Sequence, residues 1–96
     1  MKSVYVCSAA ENDFTESLTW YAKRDSDLAH QFDSEFDAAI NGIAESPDTF
    51  PIIDERHRYI QMRRFPFVII FREDRDKVTI IAVAHTSRSP GFWHGR

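Results

Sequence analysis

Apolar positions follow two different rhythms along this chain of 96 residues. In the C-terminal half, two dense apolar runs, 67–71 (FVIIF) and 78–83 (VTIIAV), are separated by a charged link at 73–77. β-Branched and aromatic side chains suit a pleated, packed surface. Two such runs joined by a short polar link predict a β-hairpin. Both runs are too continuously apolar for a one-sided sheet, so both faces are expected to be at least partly covered. Upstream, 59–65 alternates. Tyr59, Gln61, Arg63 and Phe65 fall on one face and Ile60, Met62 and Arg64 on the other. Pro66 lacks an N–H for the ladder and marks a strand end, edge or bulge. Residues 3–7 (SVYVC) form a further short strand candidate.

Between these strands the period changes to that of a helix. Ser8 and Glu11 fit the spacing of a capping box, and a helix is predicted over 9–24. Ala10, Phe14, Leu18 and Tyr21 form its apolar stripe, with Ser17 between. Glu11 and Asp13 sit in its first turn and Lys23 and Arg24 in its last, both favourable to the helix dipole. Asp25, Ser26 and Asp27 interrupt the pattern and offer N-cap oxygens. A second helix is predicted over 27–45, with the stripe Leu28, Phe32, Phe36, Ala39, Ile40 and Ile43 inward and Asp33, Glu35 and Asp37 outward. Gly42 weakens its last turns, or permits close packing, and Pro47 stops it at Ser46. The short link between the helices predicts an antiparallel hairpin. Phe50, Pro51, Ile52 and Ile53 are expected to pack beneath the helices, ahead of a charged turn at 54–58. The expected architecture is one α+β domain over 1–96, in the order β-α-α-β-β-β, with a helical hairpin on one face of a small, mainly antiparallel sheet.

Composition narrows the function. There is ample apolar content for a core, no 18-residue apolar run and no signal-peptide h-region at the start. One cysteine, Cys7, excludes an internal disulfide. It sits in an apolar run as a small buried residue, and the cytoplasm is the natural compartment. The formal net charge is −3, unevenly placed: residues 1–50 hold three basic and ten acidic side chains, and residues 51–96 nine and five. The second half can therefore present cations to an acidic partner, while the whole chain attracts polyphosphate less than a basic protein would.

No phosphate-binding glycine loop, His-Glu-x-x-His or nucleophile elbow is present, and His30, His57, His85 and His94 lack ligand spacing, so no metal and no cofactor are expected. What remains is a basic constellation, Arg56, Arg58, Arg63, Arg64, Arg72, Arg75 and Arg88, with His85 closing an apolar strand. These arginines are either solvated or paired with acids of the N-terminal half, or they form an anion-binding patch on the open face of the sheet. Arg63 and Arg64, consecutive in a strand, would face opposite sides. His85 is either a hydrogen-bonded strand end or, beside arginines, a general acid or base. Phe92 and Trp93 read as packing anchors rather than stacking platforms. Trp20 and Tyr21 are adjacent on a helix and cannot both enter one core. An exposed member of the pair points to a partner groove.

Taken in order, several pieces resemble the RelE/ParE superfamily of toxins, specifically ParE-like plasmid stabilisation proteins. They are Trp20-Tyr21, Ile43-Ala44-Glu45-Ser46-Pro47 before Phe50-Pro51, Arg63-Arg64-Phe65-Pro66-Phe67 leading to Ile70-Phe71-Arg72, and Val83-Ala84-His85 before Arg88-x-Pro90 and Trp93. The resemblance covers nearly the whole chain. It implies the toxin of a type II toxin–antitoxin system, causing growth inhibition and masked by a cognate antitoxin, with Trp20 and Tyr21 as antitoxin-binding candidates. It also implies one of two targets, contacted through Arg63, Arg64, Arg72, His85 and Arg88. ParE-like members inhibit DNA gyrase without nuclease chemistry. RelE-like members cut mRNA on the ribosome, and here Arg63 or Arg64 would stabilise charge on the phosphorus while His85 moves a proton. The acidic balance, and a tail without Tyr or Lys after Lys77, favour the gyrase branch.

Overall fold

Sulfur rather than a hydroxyl starts the first helix. In the computed structural model, which describes residues 1–89 and 91–96, Cys7 is the extended N-cap residue, and its Sγ accepts from the Ala10 N–H at 3.4 Å. The thiol in turn donates to the Ile81 carbonyl, also at 3.4 Å. Ser8 is already the first helical residue, so the expected Ser8–Glu11 capping box does not form. Cys7 is half-buried at a junction instead of enclosed in the core.

The elements are β1 (Ser3–Val6), α1 (Ser8–Arg24), α2 (Ser26–Glu45), a 3₁₀ turn (Pro47–Thr49), β2 (His57–Gln61), β3 (Phe67–Glu73) and β4 (Lys77–His85). The sheet runs β1-β4-β3-β2, with β1 parallel to β4 and the other pairs antiparallel. This is the α+β arrangement expected, with a helical hairpin on a mainly antiparallel sheet. Asp25 separates the helices. Its Oδ1 accepts from the Asp27 N–H at 2.8 Å, capping α2 while its own N–H closes α1 on the Tyr21 carbonyl.

The core lies between the hairpin and one sheet face. Phe32 and Phe36 from α2 meet Phe14 and Tyr21 from α1, and Phe65 and Phe67 from beneath. Ring centroids lie 4.5 Å apart for Phe14–Phe36, 4.9 Å for Tyr21–Phe65 and 5.1 Å for Phe32–Phe65. The other face is covered by the tail. Trp93 packs on Ile70, Ile81 and Ala82, with Phe92, Tyr59 and Val68 around it. Gly91 and Gly95 take φ of 82° and 90° in the turns that bring the tail there.

A β-bulge reconciles the two faces. Phe71 pairs with Ile80 and Ile70 with Ala82, so Ile81 is the extra residue. Ile80 and Val83 therefore both reach the hairpin side, although they are three residues apart, while Ile81 and Ala82 both reach Trp93. Strict alternation does not anticipate this.

Three other expectations are corrected. The strand expected over 59–65 starts at His57 and stops at Gln61, leaving 62–66 as a loop. These residues connect β2 to its antiparallel partner β3, and Glu35, placed outward on sequence grounds, holds them. Glu35 turns to the loop, and its Oε1 accepts from the backbone N–H of Arg63 and, at 3.1 Å, of Arg64. The two arginines therefore do not straddle the sheet. Of the segment 50–53, only Phe50 packs inward, 5.8 Å from Phe71, while Ile52 and Ile53 are exposed along the edge of β2. Asp13, read as a dipole partner, is buried. No helix among the described residues is long and apolar enough to cross a membrane.

Candidate functional site

The site is set by a mismatch of strand lengths. β1 ends at Val6, opposite Ile80, whereas β4 runs on to His85. From Ile81 onward that flank of β4 has no neighbouring strand among the described residues, and side chains take over backbone groups. Cys7 Sγ and Arg96 Nη1 both donate to the Ile81 carbonyl, the latter at 3.2 Å. The buried Asp13 carboxylate accepts from the Val83 N–H at 3.1 Å. Arg96 grips that carboxylate with two nitrogens, at 2.7 and 3.4 Å. A buried charge persists where it is paired and hydrogen-bonded. Asp13 lies three residues after Ala10 and four before Ser17, within the apolar stripe. An acid at such a position is the one sequence signal that a buried partner exists. Nothing in the sequence names Arg96 as that partner.

Beyond this pair, a cleft of about 370 Å³ opens between α1 and the end of β4. Its walls include Glu16, Trp20 and Tyr21 from α1, Phe67 and Val83 from the sheet, and His85, Ser87 and Arg88 from the end of β4 and the following turn. Trp20 is half exposed, with the Arg24 guanidinium 3.3 Å over its ring. Tyr21 turns inward against Phe32, Phe65 and Phe67, and burial pushes its phenol up from the ordinary value. The pair divides its roles, one ring to the core and one to solvent.

His85 faces the Phe67 ring at 5.2 Å. Its Nδ1 accepts from the Ser87 N–H at 3.1 Å, with the Ser87 hydroxyl at 2.7 Å. That network assigns the neutral ring's proton to Nε2. In this tautomer the ring is a donor toward solvent, and taking up a proton would displace the Ser87 N–H.

The basic constellation is divided. Arg88 shares the cleft with His85, its guanidinium 3.7 Å over Phe92. Arg63 and Arg64 line a second, larger cleft of about 710 Å³ between α2 and the end of β2, with His30, Ile60 and Met62. Arg56, Arg58 and Arg72 surround a third, of about 240 Å³, with His57, Asp54 and Glu73. Arg58 donates to the Phe50 carbonyl at 2.7 Å, and Arg72 Nε is buried with no hydrogen-bond partner among the described residues. The Thr86 N–H donates to the Pro66 carbonyl at 2.8 Å, which ties the loop bearing Arg63 and Arg64 to the end of β4. The ion pairs found among the described residues are Lys2–Glu73, His57–Asp54 and Arg96–Asp13. None of them engages Arg63, Arg64, Arg72 or Arg88. Pro90 of the Arg88-x-Pro90 pattern lies outside the described residues.

Comparison with known proteins decides the family. The family model described as "ParE toxin of type II toxin-antitoxin system, parDE" matches residues 5–90. The chain belongs to the ParE toxin family. Toxin ParE2 of Mycobacterium tuberculosis, in strains CDC 1551 / Oshkosh and ATCC 25618 / H37Rv, is 27% identical over 86 residues, spanning 88% of this chain and 82% of the relative. A solved chain of the chromosomal ParDE TA system from P. aeruginosa superposes with a TM-score of 0.76 at 16% identity, covering 88% of this chain and 96% of the other. The ParE match takes in α1, the bulged hairpin, His85 and Arg88. It stops before the tail that carries Trp93 and Arg96.

Proposed function

We propose that this ParE-family toxin arrests growth by binding and inhibiting DNA gyrase, and that a cognate antitoxin, acting in the cytoplasm, neutralises it. The match over residues 5–90 carries the toxin reading. Two features support a docking mode without nuclease chemistry. The net charge of −3 is unlike that of a protein built to hold ribosomal RNA. His85 has its Nδ1 committed to Ser87, so the neutral ring has no free lone pair for accepting a proton from a nucleophile. Arg63, Arg64, Arg72, His85 and Arg88 are then target-binding groups. Trp20, exposed beside the inward Tyr21, is the antitoxin contact.

Supercoiling by purified gyrase tests this reading. The chain at excess should abolish supercoiling, and co-purified antitoxin should restore it. Undiminished supercoiling, together with cleavage of translated messages in primer extension, would transfer the assignment to the ribosome-dependent nuclease branch, with His85, Arg63 and Arg64 as its catalytic candidates.

A further inference from the structure

In the larger cleft, between α2 and the end of β2, the acid and the cations do not neutralise each other. Among the described residues lining it, Glu35 is the one carboxylate. It accepts from the backbone N–H groups of Arg63 and Arg64 and not from their guanidinium groups. Both arginine side chains stand exposed on the cleft wall and join no ion pair among the described residues. The loop that carries them is pinned twice more. The Met62 N–H donates to the Phe67 carbonyl at 2.9 Å, and the Thr86 N–H to the Pro66 carbonyl at 2.8 Å. The two charges are thus presented from an ordered backbone, and a partner has only their side chains left to immobilise. Beside them the cleft is apolar. Ala38 and Ala39 of α2 share it with Ile60 and the buried Met62, and the small helix residues leave room between α2 and the sheet.

We infer that this cleft seats an acidic segment of the target protein, with an apolar side chain against Ala38, Ala39 and Ile60 and carboxylates on Arg63 and Arg64. The inference rests on the gyrase reading above and adds which face of the toxin docks and what chemistry the docked segment carries. Charge complementarity selects the occupant. A carboxylate takes a guanidinium through paired N–H donors, and the one acid at hand is already committed to the loop. A nucleic-acid backbone brings charge but no side chain for the apolar part of the cleft. The antitoxin contact assigned to Trp20 lies in the cleft beside α1, which shares no lining residue with this one.

Supercoiling by purified gyrase compares the full chain with three variants. The double variant Arg63→Gln, Arg64→Gln removes both cations and keeps the N–H groups that Glu35 holds. Ala38→Phe fills the cleft from an exposed helix position without changing charge. Arg75→Glu lies in the turn between β3 and β4, outside these clefts, and lowers the net charge as much as the double variant does. The concentration giving half inhibition should rise about tenfold or more for the double variant and for Ala38→Phe, the scale of a central contact. For Arg75→Glu it should stay within about twofold. Thermal melts establish that each variant folds, and either of the first two suffices for the comparison. Inhibition unchanged by a folded double variant or a folded Ala38→Phe overturns the docking site and leaves the gyrase reading standing. If those variants lose antitoxin binding instead, the cleft belongs to the antitoxin and the inference falls. An equal loss with Arg75→Glu reduces the effect to net charge and also overturns it. No inhibition by the unmodified chain overturns both readings.

Discussion

The carboxylate of Asp13 and the guanidinium of Arg96, 83 positions apart in the chain, meet at 2.7 Å on the flank of β4. One pair fastens the first helix, the sheet edge and the tail together, because Asp13 also accepts from Val83 and Arg96 also donates to Ile81. Asp13→Ala would strand the Val83 N–H and leave the Arg96 charge unpaired. The expected loss is about 3 kcal/mol of unfolding free energy. Asp13→Asn keeps an acceptor and the shape, and should lose about 1–2 kcal/mol. Urea denaturation of both variants, in the presence and absence of Arg96→Ala, measures the coupling. If the two losses simply add, the pair is not the fastening inferred from its geometry.

Trp20 and Tyr21 separate stability from binding. Tyr21→Ala removes a ring that touches Phe32, Phe65 and Phe67, and should cost about 3 kcal/mol. Trp20 is half exposed, so Trp20→Ala should change stability by about 0.5 kcal/mol or less, the range of surface substitutions. Antitoxin affinity should respond in the opposite sense, falling at least tenfold for Trp20→Ala, the usual scale of an aromatic anchor. Thermal melts and calorimetric titration of the same two proteins make the comparison.

Gly42 is a helix-interior glycine with room for a methyl group. A Cβ built there meets only Phe50 Cζ, at 3.7 Å, an ordinary contact. Gly42→Ala should therefore stabilise the protein by about 0.5–1 kcal/mol, through helix propensity and a less flexible unfolded chain. A destabilised alanine variant would mean that Phe50 needs the space the glycine leaves.

What could be read from the sequence tracks how local each cause is. The stripe from Leu28 to Ile43 and the apolar runs of β3 and β4 carry their period in consecutive residues, so helices, hairpin and core were legible. The divided roles of Trp20 and Tyr21 followed from their adjacency on one helix. The helix ends were legible to within one residue, but the end of β2 and the faces of β4 were not. Glu35 holds the loop after β2 by accepting from the N–H groups of Arg63 and Arg64, and the unpaired Ile81, between the pairs Phe71–Ile80 and Ile70–Ala82, reassigns the faces of β4. Sequence left the basic constellation open between solvated or paired arginines and one anion-binding patch, because side-chain surroundings are set by the fold. The fold divides all of them but Arg75 among three clefts.

Acid should loosen the turn before β2 only below the ordinary carboxylate range. The Asp54 carboxylate accepts from the Arg56 N–H at 2.8 Å, from the His57 ring at 2.8 Å and from the His57 N–H at 2.9 Å. The Arg56 backbone donor, then the His57 ring, hold its charged form and lower its pKa below the usual carboxylate value. The folded pKa lies below the unfolded one. The turn's contribution is therefore complete above the ordinary carboxylate pKa and is lost as pH falls through the depressed one. Because Asp54 faces solvent, the effect is local. Its reach is His57, whose ring lies 4.7 Å from Trp93, so loosening the turn frees one side of the tail anchor. In a Trp20→Phe background, Trp93 fluorescence should change with a midpoint below that of a free aspartate, and Asp54→Asn should flatten the profile. A carboxyl NMR titration placing Asp54 at or above the ordinary value would contradict the geometry of this turn.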